Sequence, residues 1–347
     1  MKKNNKIAIW VLTRNGFENA LQLREAFKDV TLFVSESIGD VREGEGIRRF
    51  ARLKEGIQNS FGDYSGHVFF MATGIVVRLI SGLLDSKLTD PAVVVLDDKG
   101  INAISLVSGH VGEANKLTIE VANILSANPV ITTATDVNKL PSIDVFALEN
   151  NLVIENPEAI KHVNMAILKD ENISVYDPYG YLNKDFQYDK LVYDEPKKLN
   201  GPSVYIDYIE TDLPEGVLIL RPRLLSAGVG CNRGTDFEEI YGLFVKVFKE
   251  NHLSLKSLRN LASIDLKNDE VGILKAGETF DLPILFYNKD ELVDIEGIKN
   301  PSLMVEKHTG VKSVCEATAI KAAKMGTLIV PKNKTKNVTL AVAKSSI

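Results

Sequence analysis

The first third of the chain alternates two apolar rhythms. "KIAIWVLT" is a nearly unbroken apolar run of strand length, and "GFENALQLREAF" after it spaces its apolar residues for one face of a helix. "VTLFVSE", "HVFFMATG", "PAVVVLDDKG", "NAISLVSG" and "NPVITTATD" read as further strands, with a turn at Asp98-Lys99-Gly100 joining two of them. "IVVRLISGLL" and "EANKLTIEVANIL" read as helices, and "GEGIRRFARLKEGIQNSF" shows helical spacing through Ile47, Phe50, Leu53 and Ile57. Strands apolar at both parities, interleaved with helices, predict a mainly parallel sheet covered on both faces. The pattern assigns residues 1–137 to an N-terminal α/β domain.

From residue 138 to 220 the pattern weakens. "ENPEAIKHVNMAILKD" predicts a helix with Asn156 as its cap and Pro157 as its first residue. "NISVYDP", "SVYIDYI" and "GVLILRP" are strand candidates around a polar, Tyr-rich stretch, which fits a small α/β middle domain. Residues 221–347 form a third α/β unit, and "TLIVPKNKTKNVTLAVAK" predicts two antiparallel strands at its end. The fold class is therefore multi-domain α/β.

Composition narrows the function. Net charge is −5 and pI about 5.7, which argues against a broad nucleic-acid surface but leaves room for a local basic pocket. The two cysteines, Cys231 and Cys315, form no CxxC pair, so a zinc ribbon or dithiol motif is not expected. The apolar run Ile7–Leu12 is too short for a secretory signal, and no segment is long and apolar enough for a membrane span. The expectation is a cytoplasmic protein.

Candidate chemistry gathers at junctions between strands and helices, where free backbone N–H groups collect. In "MATGIVVRL", Thr73 is placed to cap a helix, Gly74 to admit close backbone approach, and Arg78 to follow a turn later. "SLVSGHVGEANKL" crowds Ser108, His110, Glu113 and Asn115 around Gly109 and Gly112. The glycines leave room for a ligand against main chain, and a histidine titrating near neutrality suits general acid–base work. In "GVGCNRGTDFEEI" and "GVKSVCEATAI", Thr235 with Glu238 and Ser313 with Glu316 match capping boxes. Gly228, Gly230, Cys231 and Arg233 are left over by capping and suggest an anion site on turn N–H groups. Neither stretch is a dinucleotide fingerprint or a P-loop.

Taken together, these motifs resemble the cobalt-precorrin-5A hydrolase family of anaerobic cobalamin biosynthesis. "FMATGIVVRL", "DPAVVVLDDKGINAISLVSGHVGEANKL" and "PVITTATD" look like its N-terminal domain, "GVGCNRGT" and "GVKSVCEATAI" like its C-terminal domain. Ser108, Gly109, His110, Asn115, Cys231, Arg233, Ser313, Cys315 and Glu316 are the matching positions. Glu113 and Asn232 depart from the pattern, standing where the family often has a small and a basic residue. The resemblance implies opening of the ring A δ-lactone of cobalt-precorrin-5A and release of acetaldehyde to give cobalt-precorrin-5B. It implies no cofactor, since cobalt arrives with the substrate, and hand-over to other enzymes of the pathway. His110 is the expected base, with Asp97 or Glu316 as alternatives. Arg78 and Arg233 are the expected partners of substrate carboxylates, in a pocket expected between the N- and C-terminal units. Thr73, Gly74, Ser108, Gly109, Gly112, Asn115, Gly230, Cys231, Thr235, Ser313 and Cys315 complete the expected binding set. A non-catalytic corrinoid carrier on the same pockets, an S-adenosylmethionine-dependent methyltransferase and a general nucleotide-binding protein are the rival readings.

Overall fold

A computed structural model describes residues 6–87, 89–302 and 310–346. The chain divides into two units, residues 1–145 and 146–347.

The first unit is built on a seven-stranded sheet of order β3-β2-β1-β4-β5-β6-β7. Its strands are β1 (Ile7–Val11), β2 (Val30–Ser35), β3 (Ile47–Phe50), β4 (Gly66–Phe70), β5 (Ala92–Leu96), β6 (Asn102–Val107) and β7 (Asn128–Val130). All neighbours are parallel except β5 and β6, which meet antiparallel through the turn after Asp97. Residues 8–11 of β1 are fully buried because both faces of the sheet are covered. Ile9 and Val11 enter one core with Leu23, Val68 and Leu117, while Ala8 and Trp10 enter the other with Phe33, Ile57 and Val76. Helices α1 (Arg14–Ala26) and α4 (Ala114–Leu125) close the first face; α2 (Leu53–Ser60) and α3 (Thr73–Ile80) close the second.

Ile47 and Phe50 are not helical. Ile47–Phe50 adds a strand beside β2, pairing Leu32 with Ile47 and Ser35 with Phe50, and the helix starts only at Leu53. Pairing with an exposed sheet edge overrides a helical spacing that the two elements produced jointly.

The order of strands has a consequence for the site. Because β6 reverses at the β5–β6 turn, β6 and β7 run opposite to the other five strands. Their carboxyl ends therefore lie at the edge where β4 and β5 begin. The "MATG" bend after β4 and the "SGHVG" bend after β6 leave opposite edges of one sheet, about 15 Å apart for a five-residue strand.

The second unit holds two five-stranded sheets. The first, of order β10-β9-β11-β12-β8, combines β8 (Leu152–Ile154), β9 (Ile173–Tyr176), β10 (Leu191–Tyr193), β11 (Ser203–Ile206) and β12 (Val217–Pro222). Only its β8–β12 pair is antiparallel. Asn156 does not cap the following helix: its side chain bridges Val217 O and Ile219 N of β12, and Pro157–Ala159 forms a 3₁₀ turn before the helix at Ile160. The second sheet, of order β15-β14-β13-β17-β16, combines β13 (Leu225–Cys231), β14 (Leu258–Ile264), β15 (Ile284–Tyr287), β16 (Thr327–Lys334) and β17 (Val338–Lys344). β16 and β17 are antiparallel, as their pattern predicts.

"GVGC" is thus strand, not turn. Gly228 lies under the helix Val314–Ala322, where a Cβ would stand 1.9 Å from Cys315 O. The glycine serves close strand–helix packing rather than a ligand. In the sheet that holds β12, buried Arg221 pairs with Glu155 and donates to the carbonyls of Asp207 and Ile209. Among the described residues, no helix is long and apolar enough to cross a membrane.

Candidate functional site

Strands β6 and β7 end side by side, and the two loops that follow them meet. Ser108 and Glu113 bracket the first loop in left-handed conformations, φ 61° and 64°. The loop folds back on itself: Ala114 N donates to Ser108 O and Asn115 N to Gly109 O. This inward fold is why the glycines are needed. A Cβ on Gly109 would meet Asn115 Oδ1 at 2.8 Å, and one on Gly112 would meet Ser108 Cβ at 2.3 Å. On the Cβ side of both glycines the space is filled by the loop's own residues. Glu113 is the cap residue of α4, without a capping bond from its side chain, and pairs with Lys116. Ser108 and His110 do not cap either; the Ser108 hydroxyl is buried without a hydrogen-bond partner.

His110 projects into a group of polar side chains from the segment after β7, where Thr135 and Asp136 lie on the short helix Ala134–Val137 and Asp144 on the helix Ile143–Glu149. Its Nε2 lies 3.0 Å from Asp136 Oδ2 and 3.1 Å from Thr135 Oγ1. Its Nδ1 lies 3.3 Å from Asp144 Oδ2 and 3.2 Å from Ser142 Oγ. Asn115 ties the loops together, accepting from Ser105 Oγ and donating to Thr133 Oγ1 and Asp136 Oδ2. The two carboxylates differ in setting: the Asp144 side chain is 5% exposed and that of Asp136 39%. Hydrogen bonding to Asp144 raises the His110 pKa above its ordinary value; burial opposes this and Asp136 adds to it. Carboxylates face both ring nitrogens, which favours the doubly protonated ring, and the Nε2 side, beside the less buried Asp136, is the more open one.

Asp136, Asp144, Thr135 and Ser142 are absent from the sequence expectation. "TTATD" did carry a signal, since four hydrogen-bonding residues, Thr132, Thr133, Thr135 and Asp136, crowd the end of a short strand, as polar residues do at "SGH". Nothing local marks Asp144, which is 34 positions from His110. Beside the first bend opens a cavity of about 350 Å³ with Val111, Gly112, Glu113 and Lys116 on its wall.

The other expected residues of this unit sit elsewhere. Thr73 is the first residue of α3, not its cap, which is Ala72 without a side-chain bond. Gly74 and Arg78 belong to the same helix, where Arg78 Nη1 donates to Gly74 O. They lie at the sheet edge opposite His110, as does Asp97. The Asp97 carboxylate accepts from the backbone of Lys99, Ile101 and Asn102 and from the Asn102 side chain. Burial pushes its pKa up, but these donors hold it below the ordinary carboxylate range, the signature of a turn brace rather than a base.

In the C-terminal sheet, neither capping box forms. Thr235 Oγ1 donates to Asn232 O, and Asp236 is the cap of the next helix. Ser313 is a cap residue by position, but its hydroxyl faces Cys315 Sγ at 3.8 Å. Glu316 is spent on distant donors: the backbone of Lys299, Asn300 and Lys332 and the Asn300 side chain. Burial raises its pKa, yet these bonds hold it below the ordinary value. Arg233 pairs with Asp269 and Glu270, and Glu270 also accepts from Gly234 N. The N–H and guanidinium expected to hold an anion already hold carboxylates of the chain. Burial pushes both Cys231 and Cys315 thiols up, against a nucleophilic role. Gly230, Cys231, Ser313 and Cys315 nevertheless share one cavity of about 500 Å³.

Three family profiles divide the chain: "Cobalamin synthesis G N-terminal" matches residues 55–136, "Cobalamin biosynthesis central region" residues 141–222, and "Cobalamin synthesis G C-terminus" residues 225–343. A cobalt-precorrin-5A hydrolase of Priestia megaterium is 34% identical, over 97% of this chain and 94% of its own length. One of Salmonella typhimurium is 32% identical over 90% of each chain, and a probable one of Methanocaldococcus jannaschii is 30% identical over 81% and 86%. With three consecutive domain matches and relatives aligned nearly end to end, the chain belongs to the cobalt-precorrin-5A hydrolase family.

Proposed function

We propose that this chain hydrolyses cobalt-precorrin-5A, opening the ring A δ-lactone and releasing acetaldehyde to leave cobalt-precorrin-5B. Family membership supports the reaction; the His110–Asp144 pair is the observation that carries the chemistry. In the deprotonated ring the more buried Asp144 keeps the proton on Nδ1, and Nε2, to which Thr135 Oγ1 can donate beside Asp136, is the nitrogen that takes the proton of water. The water oxygen bonds to the lactone carbonyl carbon, and the carbonyl electron pair moves onto oxygen. Among the described residues, no acceptor meets the N–H groups of Gly109, His110, Val111 and Gly112, which leaves them free to hold that oxyanion.

Collapse of the tetrahedral intermediate breaks the ring C–O bond, and the proton on Nε2 goes to the leaving alkoxide. His110 then removes the proton of the new hydroxyl. The O–H electron pair becomes the acetaldehyde C=O, the bond to the macrocycle breaks, and its electrons pass into the macrocycle. A base so placed contributes roughly 10²–10⁴ in rate, and a single oxyanion donor about 10²–10³.

In this reading Asp97 and Glu316 brace the fold, Asp136 steadies the charged form of His110, and the protein needs no cofactor of its own. Cobalt travels with the substrate. A cytoplasmic setting and hand-over of the product to the next enzyme of the pathway belong to the same reading. Anaerobic incubation of the purified chain with cobalt-precorrin-5A tests it: acetaldehyde and cobalt-precorrin-5B are expected. Binding of the corrinoid without acetaldehyde would make the chain a carrier instead.

A further inference from the structure

The cavity in the C-terminal sheet has a charge pattern that the reaction does not explain. β13 supplies Gly230 and Cys231, and the helix after Ser313 supplies Val314 and Cys315. Above them stand Lys267, Lys332, Lys334 and Lys336; the described wall holds these four lysines and no carboxylate. In a chain of net charge −5 that is a local reversal of sign.

The nearby acids are consumed elsewhere. Glu270 takes Lys267 and Arg233, and Glu316 is saturated by backbone donors. Glu239 accepts from Thr335 Oγ1 and from the backbone and side chain of Asn337. It thereby pins the β16–β17 turn on which Lys336 rides. Among the described residues, Lys332, Lys334 and Lys336 have no ion-pair partner. Lys332 Nζ donates to Asn300 O. The uncapped first turn of the helix from Val314 adds N–H donors to the same wall.

We propose that this cavity is a cup for ring-borne carboxylates, with the exposed Lys334 and Lys336 as its cationic rim. Several ammonium groups on a pinned hairpin, over a wall whose described residues include no carboxylate, suit a ligand with several carboxylates rather than one. That the natural occupant is the acetate- and propionate-bearing corrinoid rests on the reaction proposed above; the preference for a polyacid does not.

The test uses the full chain and two stable probes. Cobyrinic acid presents free carboxylates around a corrin ring; cobinamide presents amides. Wild type is expected to bind cobyrinic acid more tightly than cobinamide, with affinity falling as salt rises. Lys334→Gln with Lys336→Gln, both at exposed positions, should raise the cobyrinic acid dissociation constant about tenfold or more and leave cobinamide unchanged. Equal affinity of wild type and double variant for cobyrinic acid at low salt, with unchanged circular dichroism, would overturn the cup. Failure of the reaction is read separately: if wild type yields no acetaldehyde but the lysine dependence holds, the cup stands and the hydrolase reading falls.

Discussion

His110 Nδ1 lies 3.3 Å from Asp144 Oδ2, and the Asp144 side chain is the more buried of the two carboxylates beside the ring. This contact decides which nitrogen is basic. Asp144→Asn keeps the shape and removes the charge, so the activity plateau should fall by roughly 10²–10⁴. The raised His110 pKa adds a directional signature. A base works deprotonated, so wild-type kcat/KM should climb with pH through a value above 6.5. In Asp144→Asn the inflection should move down. An inflection that stays put would mean that Asp144 does not set the imidazole's charge.

The same pair leaves a mark on stability. His110 binds its proton more tightly when folded, so that contribution is complete below pH 6.5 and disappears as pH rises through the folded pKa. The stability gap between wild type and Asp144→Asn, from urea unfolding, should therefore be widest in mild acid and narrow on the alkaline side.

His67 predicts the opposite slope. It is buried in an aromatic cluster, accepts from Trp10 Nε1 at 3.1 Å, and has its pKa lowered to about 4 by burial. The unfolded chain takes up this proton near pH 6.5 and the folded one only near 4, so stability falls as pH drops through that window. Between pH 7 and 5 the loss is about 2 kcal/mol. Urea unfolding of wild type beside His67→Phe isolates it, since the variant should lose less over the same interval. Identical slopes would refute a neutral buried imidazole.

Much of this was legible in the chain and some was not. The βα rhythm, the turn after Asp97 and the final antiparallel pair follow from period and turn chemistry, which are local. His110 stood out because "SGHVGEAN" packs more polar chemistry than a turn needs. Asp144 did not, because only the parallel pairing of β6 with β7 brings the segment after β7 beside the loop after β6. The capping boxes misled for a related reason: Glu316 is taken by Lys299, Asn300 and Lys332 from outside its helix, while Thr235 and Ser313 turn to Asn232 and Cys315 instead of the N–H groups a box requires. Sequence spacing cannot rank a local donor against one supplied by the tertiary fold. The alternating lysines of "PKNKTKN" are plain in the chain, but only the fold shows that they share one cavity wall with Cys231 and Cys315.

Backbone strain in the catalytic bend gives a test independent of activity. Glu113 at φ 64° holds a conformation that suits glycine. Glu113→Gly should fold without penalty, while Glu113→Val should cost about 1–2 kcal/mol in urea unfolding. Equal stabilities would show that the bend relaxes in solution.

Close packing in the C-terminal sheet is as specific. A methyl group at Gly228 would overlap the Cys315 carbonyl, so Gly228→Ala should lose about 3 kcal/mol, seen as a lowered denaturation midpoint. Wild-type stability in that variant would mean that the helix from Val314 stands further from β13.

Single-turnover release of acetaldehyde from cobalt-precorrin-5A, measured for His110→Ala beside wild type, bears most directly on the central claim. The account predicts that the variant still binds the corrinoid and that release slows at least about 10²-fold. Release at the wild-type rate would contradict it.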